Sequence, residues 1–269
     1  NYPNKTLLDG LIKQVRNARL EHELIVIDDA SEKSNRLPTD EYGADLKYVQ
    51  LEENIGRSRI RNLFFKYASK PFLLFLDGDS ELVSDDFLSR YEELLEDRKN
   101  VAVLCGRSIY PKKPPAIECR LRWLYGSETE SKPDKVRNLE PYGSFMTNNV
   151  IFRTDILKAH PFEEKLKGYG HEDTLMGFRL KEAKIPVLHF DNPVLNARPD
   201  HNQLYLSKTT QALSNLLEIK SMVGQSERFT EHVKILRWLR LLGQLKLNWL
   251  LILLDKMVGM KVQKKLEAK

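Results

Sequence analysis

Apolar residues recur at two different periods along this chain, and the change from one to the other marks out its elements. Leu7, Leu8, Leu11, Ile12 and Val15 repeat at helical spacing, with Asn4 or Thr6 placed to cap the start, so the chain opens on a helix. Leu24-Ile25-Val26-Ile27 is a short unbroken apolar run, the pattern of a buried strand, and it ends in Asp28-Asp29-Ala30-Ser31. Residues 47–51 predict a second short strand. Ile60, Leu63, Phe64 and Tyr67 then face one way on a helix. Five apolar residues in a row, Phe72 to Leu76, predict a strand buried on both faces, because a strand with one wet face would alternate. That run stops at Asp77-Gly78-Asp79-Ser80.

A helix over residues 85–96 and a strand over 101–105 follow, giving the order α, β, β, α, β, α, β and hence a mainly parallel sheet flanked by helices, an α/β fold. The pattern then breaks. Pro111, Pro114, Pro115, Pro133 and Pro141 exclude long regular elements over residues 106–143, which read as a long functional loop or lid. Arg120, Arg122, Trp123 and Tyr125 cluster there, suited to stacking on sugars or clamping an anion, with Trp123 equally suited to anchoring a core. A helix through Met176, Leu180 and Ala183, a strand over 187–190 and a long helix over 202–222 complete the main body. Residues 223–269 form a separate tail.

Composition adds limits. At 269 residues the chain can bury a full core, and 41% hydrophobic with 30% charged residues gives no sign of general disorder. Two cysteines, Cys105 and Cys119, argue against a disulfide scaffold and for a reducing compartment, so the cytosol is the expected location. The net charge of +5 is concentrated in the tail, where ten basic residues face three acids between Arg228 and Lys269. Nothing upstream resembles a reader of bases, so no nucleic-acid partner is expected. Across residues 228–260 the tail interleaves Leu and Trp with Lys and Arg. Its most apolar part, Leu247 to Leu254, is too short to span a bilayer but has the make-up of an interfacial helix on the inner face of the plasma membrane. The alternative is a helical pair packed on the body or across a dimer.

Candidate chemistry gathers at strand ends. Asp77 and Asp79 flank Gly78 at the carboxyl end of a strand, where open α/β sheets bind ligands, and hard oxygen ligands there suit a divalent cation holding a diphosphate. The plainer reading is an Asx turn capping the next element. Asn54 and Gly56 suit a loop that approaches a ligand closely, and Arg57, Arg59 and Arg61 can present forks to phosphate or simply make a solvated basic face. Gly168-Tyr169-Gly170-His171-Glu172-Asp173 opens a helix; the dipole accounts for the two acids but not for the glycines, Tyr169 or His171. His189 is a metal ligand or, as usual for a lone histidine, a packed one.

Taken together, Asp28-Asp29-Ala30-Ser31, Asn54-x-Gly56 with Arg61-Asn62, Asp77-Gly78-Asp79 and Gly168 to Asp173 resemble family 2 glycosyltransferases of the GT-A fold in order and spacing, over roughly residues 1–215. The resemblance implies a nucleotide-sugar donor, a UDP-sugar foremost, an Mn²⁺ or Mg²⁺ ion, and transfer with inversion to a hydroxyl of a glycan or lipid-linked acceptor. It implies that Asp28 or Asp29 holds the nucleoside and that Arg61 lies by the base or diphosphate. Asp77 would sit near ribose and metal, Asp79 would ligate the metal, and Asp173 would be the general base. Glu172 would position an acceptor hydroxyl or the donor sugar; His171, with Tyr169, Arg122, Trp123 and Tyr125, would line the acceptor side.

Three features depart from the family pattern. The apolar strand with which the family normally begins has no counterpart ahead of the first helix. Ile60 stands where Ala is common. Val194-Leu195-Asn196 stands where relatives often carry a metal-binding histidine, leaving His189 or Asn196 to complete the shell. Leu73 to Asp79 also resembles the nucleophile motif of haloacid-dehalogenase-type phosphatases, although it falls on the third strand rather than the first. A catalytically inactive GT-A scaffold at the membrane is a further alternative.

Overall fold

Among the described residues the strands fall into two sheets. A computed structural model describes residues 5–32, 42–98, 101–166, 168–224 and 226–244. Helix α1 (Lys5–Val15) buries Leu7, Leu8, Leu11 and Ile12 along one stripe, as its spacing predicts. Strand β1 (Ile25–Asp28) pairs in parallel with β2 (Lys47–Gln50), Ile25 opposite Lys47 through Asp28 opposite Gln50. Helix α2 (Arg57–Leu63) then leads to β3 (Phe72–Leu76).

The second sheet has the order β3-β6-β5-β7-β4. Its other members are β4 (Ser80–Leu82), β5 (Val103–Ile109), β6 (Asn149–Arg153) and β7 (Val187–Asn196). β5 and β7 are parallel, whereas β6 runs antiparallel to both β3 and β5, and β4 antiparallel to β7. The sheet is therefore mixed, with its antiparallel pairs supplied by two strands that apolar periodicity did not mark. β4 is three residues long, and β6, Asn149-Val150-Ile151-Phe152-Arg153, begins and ends on polar residues after an irregular stretch. β7 runs for 10 residues, well past the predicted end at Phe190, because Asn192 and Pro193 lie within it instead of ending it.

Helices cover both faces. Leu73 and Phe75 point into a core with Phe152, Phe162, Leu157, Met176 and Leu180, sheltered by α6 (Thr154–Ala159) and α7 (Glu172–Glu182). Phe72, Leu74 and Leu76 point to the opposite side, toward Leu7, Leu11, Phe87, Leu88 and Tyr91 of α1 and α3 (Phe87–Asp97). This alternation of one strand between two apolar layers is what the continuous run Phe72 to Leu76 encodes.

Residues 106–143 are not one open loop. They hold the short helices α4 (Arg120–Tyr125) and α5 (Asp134–Arg137), a π-helical turn at Gly126–Glu130, and prolines between them. Trp123 is 7% exposed and donates from Nε1 to the Pro111 carbonyl at 2.8 Å, so it anchors this segment. Helix α8 (Asn202–Met222) has the predicted bounds. Beyond it, α9 (Ser226–His232) and α10 (Lys234–Gln244) continue onto the body: Phe229, Val233 and Leu236 are buried against Phe178, Leu216 and Ile219. The division expected at 222 thus falls inside a shared apolar cluster. The stretch Leu247 to Leu254 lies outside the described residues. No helix among the described residues is long and apolar enough to cross a membrane, and Cys105 and Cys119 are free thiols.

Candidate active site

Three loops bring their polar residues to the carboxyl end of β3. In the first, the turn after β3 closes with the Ser80 amide donating to the Asp77 carbonyl at 3.0 Å. Gly78 has ordinary backbone there, and a Cβ on it would meet nothing within 4 Å, so its value is open space above the two carboxylates and not a strained turn. Asp79 keeps a proton more readily than a free carboxyl. Desolvation is the first cause and the neighbouring charge of Asp77 the second, with Asp200 adding to it and Arg57 opposing it.

In the second loop, Gly56 adopts φ +83° immediately before α2. Asp29 holds this loop: its carboxylate accepts from the Ile55 amide at 2.7 Å and the Gly56 amide at 3.2 Å, and its carbonyl accepts from Asn54 Nδ2. Asp28 accepts from the Ser31 amide at 2.8 Å and from the Tyr48 hydroxyl at 2.5 Å. The loop aims Arg57 and Arg61 at the third element.

That element is the amino end of α7. Gly168 and Gly170 take φ +86° and +97°, and a Cβ on Gly170 would stand 2.6 Å from the Ala212 Cβ of α8. Asn215 of α8 donates to the carbonyls of Tyr169 and Gly170, so the loop is docked against that helix and its two glycines are required by backbone and contact alike. Here lies the answer to why the sequence carries glycines that the helix dipole does not explain. His171 is left-handed (φ 66°), bonds Thr174 Oγ1 through Nδ1, and has its pKa lowered by burial, against the charge of Glu172.

Glu172 and Asp173 are neighbours with opposite fates. Glu172 is buried and accepts from Arg61 Nη1 at 3.0 Å, with Arg57 3.6 Å away; burial opposes its charge, but the two guanidinium groups hold it below the usual carboxylate range. Asp173 accepts from the Thr174 amide at 2.7 Å and has no guanidinium at such distances; burial first, then the charge of Glu172, pushes it up to about 7. Arg61 also stands 3.9 Å from Asp77, so one side chain links the turn after β3 to the start of α7. Arg57 and Lys208 both lie over the Tyr169 ring, at 4.5 and 5.2 Å from its centre.

Segment 106–143 forms a further wall. Arg122 pairs with Glu130 through two bonds of 3.0 and 2.9 Å and stacks over Tyr110 and Tyr205. Tyr125 is half exposed, contacts Tyr205 and feels the Asp173 charge. Tyr125 therefore presents a ring toward the site, while Arg122 is spent on Glu130 and Trp123 on the anchor.

His189 is not among these residues. It sits on β7, three strands from β3, where Nδ1 accepts from Arg137 at 2.9 Å, Nε2 donates to the Pro141 carbonyl at 2.8 Å, and burial lowers its pKa to about 4. Both ring nitrogens are used, so the expectation of a metal ligand is corrected to a packed histidine. Asn196 likewise reaches the Tyr110 hydroxyl, at 3.4 Å. The sequence reading missed Arg198, Asp200 and Lys208, which line the same cavity as Asp77 and Asp79; Lys208 and Asp200 pair at 2.8 Å. Their only sequence signal is that they follow a strand end, Asn196, as the other site loops do. Among the described residues no group of three or more His, Cys, Asp or Glu is placed to hold a metal.

Residues 1–158 match the family Glycosyl transferase family 2. The chain belongs to glycosyl transferase family 2. It is 26% identical over 176 residues to a teichoic acid poly(glycerol phosphate) polymerase of Staphylococcus epidermidis, a match covering 62% of this chain and 23% of the relative. The chain thus spans under a quarter of that protein's length. Among solved structures it is similar to S. aureus TarS 1-349 in complex with UDP-GlcNAc (TM-score 0.56, 19% identity, 86% of this chain and 68% of that one). It is also similar to the mannosyltransferase PcManGT from Pyrobaculum calidifontis in complex with GDP-Man and Mn²⁺ (TM-score 0.55, 16% identity, 84% and 62%). The fold is of the GT-A type, and the domain is a glycosyltransferase; the phosphatase reading of the Asp77 motif falls with that match.

Proposed function

We propose that this domain moves a sugar from a nucleotide-sugar donor to a hydroxyl of a glycan or lipid-linked acceptor, with inversion and with Asp173 as general base. The observation that carries the reading is the split between Glu172 and Asp173. A base for a hydroxyl proton works best with a pKa near the operating pH, and Asp173 is brought to about 7 beside a Glu172 that remains ionised. Asp173 would take the acceptor proton at its carboxylate while Glu172 holds Arg61 and Arg57 in place for the donor. Those guanidinium groups, one of them 3.9 Å from Asp77, suit the diphosphate.

Asp79 and Asp77 fit a divalent cation on chemical grounds. Two crowded carboxylates, of which Asp79 has a raised proton affinity, are relieved by an Mg²⁺ or Mn²⁺ ion, which would supply charge neutralisation to the leaving diphosphate. Asp28 or Asp29 would hold the nucleoside, each carboxylate being fixed within the fold, Asp28 by the Ser31 amide and the Tyr48 hydroxyl and Asp29 by the Ile55 and Gly56 amides. Tyr125, Tyr169 and His171 line the acceptor side. A UDP-sugar is the first donor to try, because TarS is described with UDP-GlcNAc, with GDP-mannose as the alternative that PcManGT suggests. A polyol-phosphate polymer is the first acceptor, from the teichoic acid polymerase. The exposed Ile235, Trp238, Leu239 and Leu241 beside Arg237 and Arg240 support peripheral placement of α10 at the cytoplasmic leaflet.

The test is calorimetric titration of UDP-GlcNAc and GDP-mannose with and without Mn²⁺, followed by product analysis with a poly(glycerol phosphate) acceptor. Metal-dependent binding and transfer with inverted anomeric configuration are expected. Absence of binding of either donor would leave the inactive scaffold standing.

A further inference from the structure

Two groups of exposed apolar residues, distant along the chain, are brought together by one ion pair. The first is on α5 and the turn after it. There Arg137 and Asn138 are tied to the body: the buried Arg137 guanidinium donates to the carbonyls of Gly106 and Phe190 and to His189 Nδ1. The Asn138 carboxamide donates to the His189 carbonyl at 2.8 Å and accepts from the His189 amide at 2.9 Å. These ties leave Val136 and Leu139, three positions apart, facing out, and Leu139 is 80% exposed. On a loose loop such a leucine folds back onto the body; here its neighbours are bonded to β5 and β7.

The second group is on α10. Leu236 is buried, and the opposite stripe of the helix carries Lys234, Arg237, Trp238 and Leu241 at positions i, i+3, i+4 and i+7, with Trp238 63% exposed. Lys234 Nζ lies 3.0 Å from the Oε2 of Glu140, the residue after Leu139. The hydrogen bond from Lys234 and then its charge hold Glu140 below the usual carboxylate range, and Arg237 and Lys132 add to this, so cations from both segments surround one carboxylate. The stripe of α10 and the turn after α5 therefore share one surface, with an apolar centre and a basic rim. Among the described residues Lys132, Lys135 and Arg237, all exposed, make no ion pair within 4 Å.

We infer that α5, the turn through Leu139 and the Lys234 stripe of α10 form one docking face for an anionic lipid surface, so that a wall of the site, and not α10 alone, rests on the membrane. The inference rests on the reading of this domain as a transferase to a lipid-linked acceptor. Lipid fits this face better than a protein partner because of the rim. Lysine is depleted at protein interfaces, where each ammonium must be matched by its own acid, whereas a headgroup layer offers anions at every position. Bare leucine, valine and tryptophan at the centre enter the boundary between headgroups and acyl chains.

The same segment runs straight into the site. The Ser131 carbonyl accepts from Arg107, and Glu130 accepts from Tyr110 and Arg122, whose guanidinium lies over the Tyr205 ring that Tyr125 contacts. From Glu130 to Lys135 an extended chain reaches at most about 18 Å. The aromatic wall thus opens within that distance of the headgroups, which favours an acceptor whose reacting hydroxyl stays close to its lipid.

The experiment is flotation of the 269-residue chain, without donor, on vesicles of phosphatidylglycerol mixed with phosphatidylcholine and on vesicles of phosphatidylcholine alone, at rising NaCl. The native chain floats with the anionic vesicles and is released as salt rises. Val136→Ser with Leu139→Ser weakens that binding by about tenfold or more, and Lys132→Gln with Lys135→Gln by about 10- to 25-fold. All four side chains are exposed, so the thermal midpoint and the affinity for UDP-GlcNAc with Mn²⁺ stay native in both variants. Flotation of both variants equal to that of the native chain overturns the inference and leaves α10 as the contact; failure of the native chain to float overturns it together with the placement of α10. A dimer in light scattering that Leu139→Ser disperses would make a second copy the occupant and overturn it as well. Since flotation is read without donor, failure of the native chain to bind UDP-GlcNAc would count against the transferase reading alone.

Discussion

Two strand ends in this protein carry the same sequence signal, a pair of acids after an apolar run, and they do different work. At the end of β1, Asp29 accepts from the amides of Ile55 and Gly56 and thereby fixes the loop before α2. At the end of β3, Asp77 and Asp79 crowd each other beside Arg57, and Asp79 holds its proton more readily, through desolvation first and the Asp77 charge second. The first pair spends a carboxylate on architecture; the second stores unrelieved charge. What separates them is that backbone donors from a second loop reach Asp29, which local sequence does not report. The pair Glu172 and Asp173 repeats the lesson one residue apart, with the close arginine contacts, at 3.0 and 3.6 Å, made to Glu172.

The largest effect that would break this contrast belongs to Asp173. Asp173→Asn is expected to lower turnover by roughly 10² to 10⁴ while donor binding stays near normal, measured by steady-state rates and calorimetry. Wild-type turnover in that variant would move the role of base to Glu172. Asp79→Asn should weaken Mn²⁺-dependent UDP binding by about 10- to 100-fold, read by titration with and without metal, since it removes one of two crowded carboxylates. An unchanged metal dependence would put the Asp77 turn in the same structural class as the Asp28 turn.

The pH response sharpens the same comparison. With Asp173 at about 7, the rate should climb through pH 7 as its carboxylate ionises, and this step should vanish in Asp173→Asn. Stability carries the opposite sign. A carboxyl whose folded pKa lies above its unfolded value binds more protons when folded, so the domain loses stability as pH rises from about 4 to about 7. Thermal midpoints across that window should fall less in Asp173→Asn than in the native chain.

Asp29→Ala should act on the fold instead. Loss of its two amide bonds costs about 1 kcal/mol, comparable to loss of a helix cap, and lowers the thermal midpoint by roughly 2–4 °C. A normal midpoint with lost nucleotide binding would instead place Asp29 on the donor. The smallest effect is expected for His189→Asn: Mn²⁺ affinity of the folded protein should not change, because both ring nitrogens are already bonded within the fold. A lost metal response would restore His189 as a ligand.

Local pattern settled what local physics decides. Helical spacing placed α1, α7 and α8, five consecutive apolar residues placed β3 between two apolar layers, and the carboxylates at its end marked residues that line the cavity. The glycines at 168 and 170 announced unusual backbone, which their φ values show. The sequence did not mark β6, whose pairing with both β3 and β5 makes the sheet mixed, because strand order arises from contacts distant along the chain. Nor did it separate Asp29 from Asp79, or Glu172 from Asp173, or expose His189 as a packed residue. Those distinctions rest on which donors and charges from elsewhere in the chain come within a few ångströms, and only the tertiary structure brings Arg61, the Gly56 amide and Arg137 to the side chains whose roles they decide.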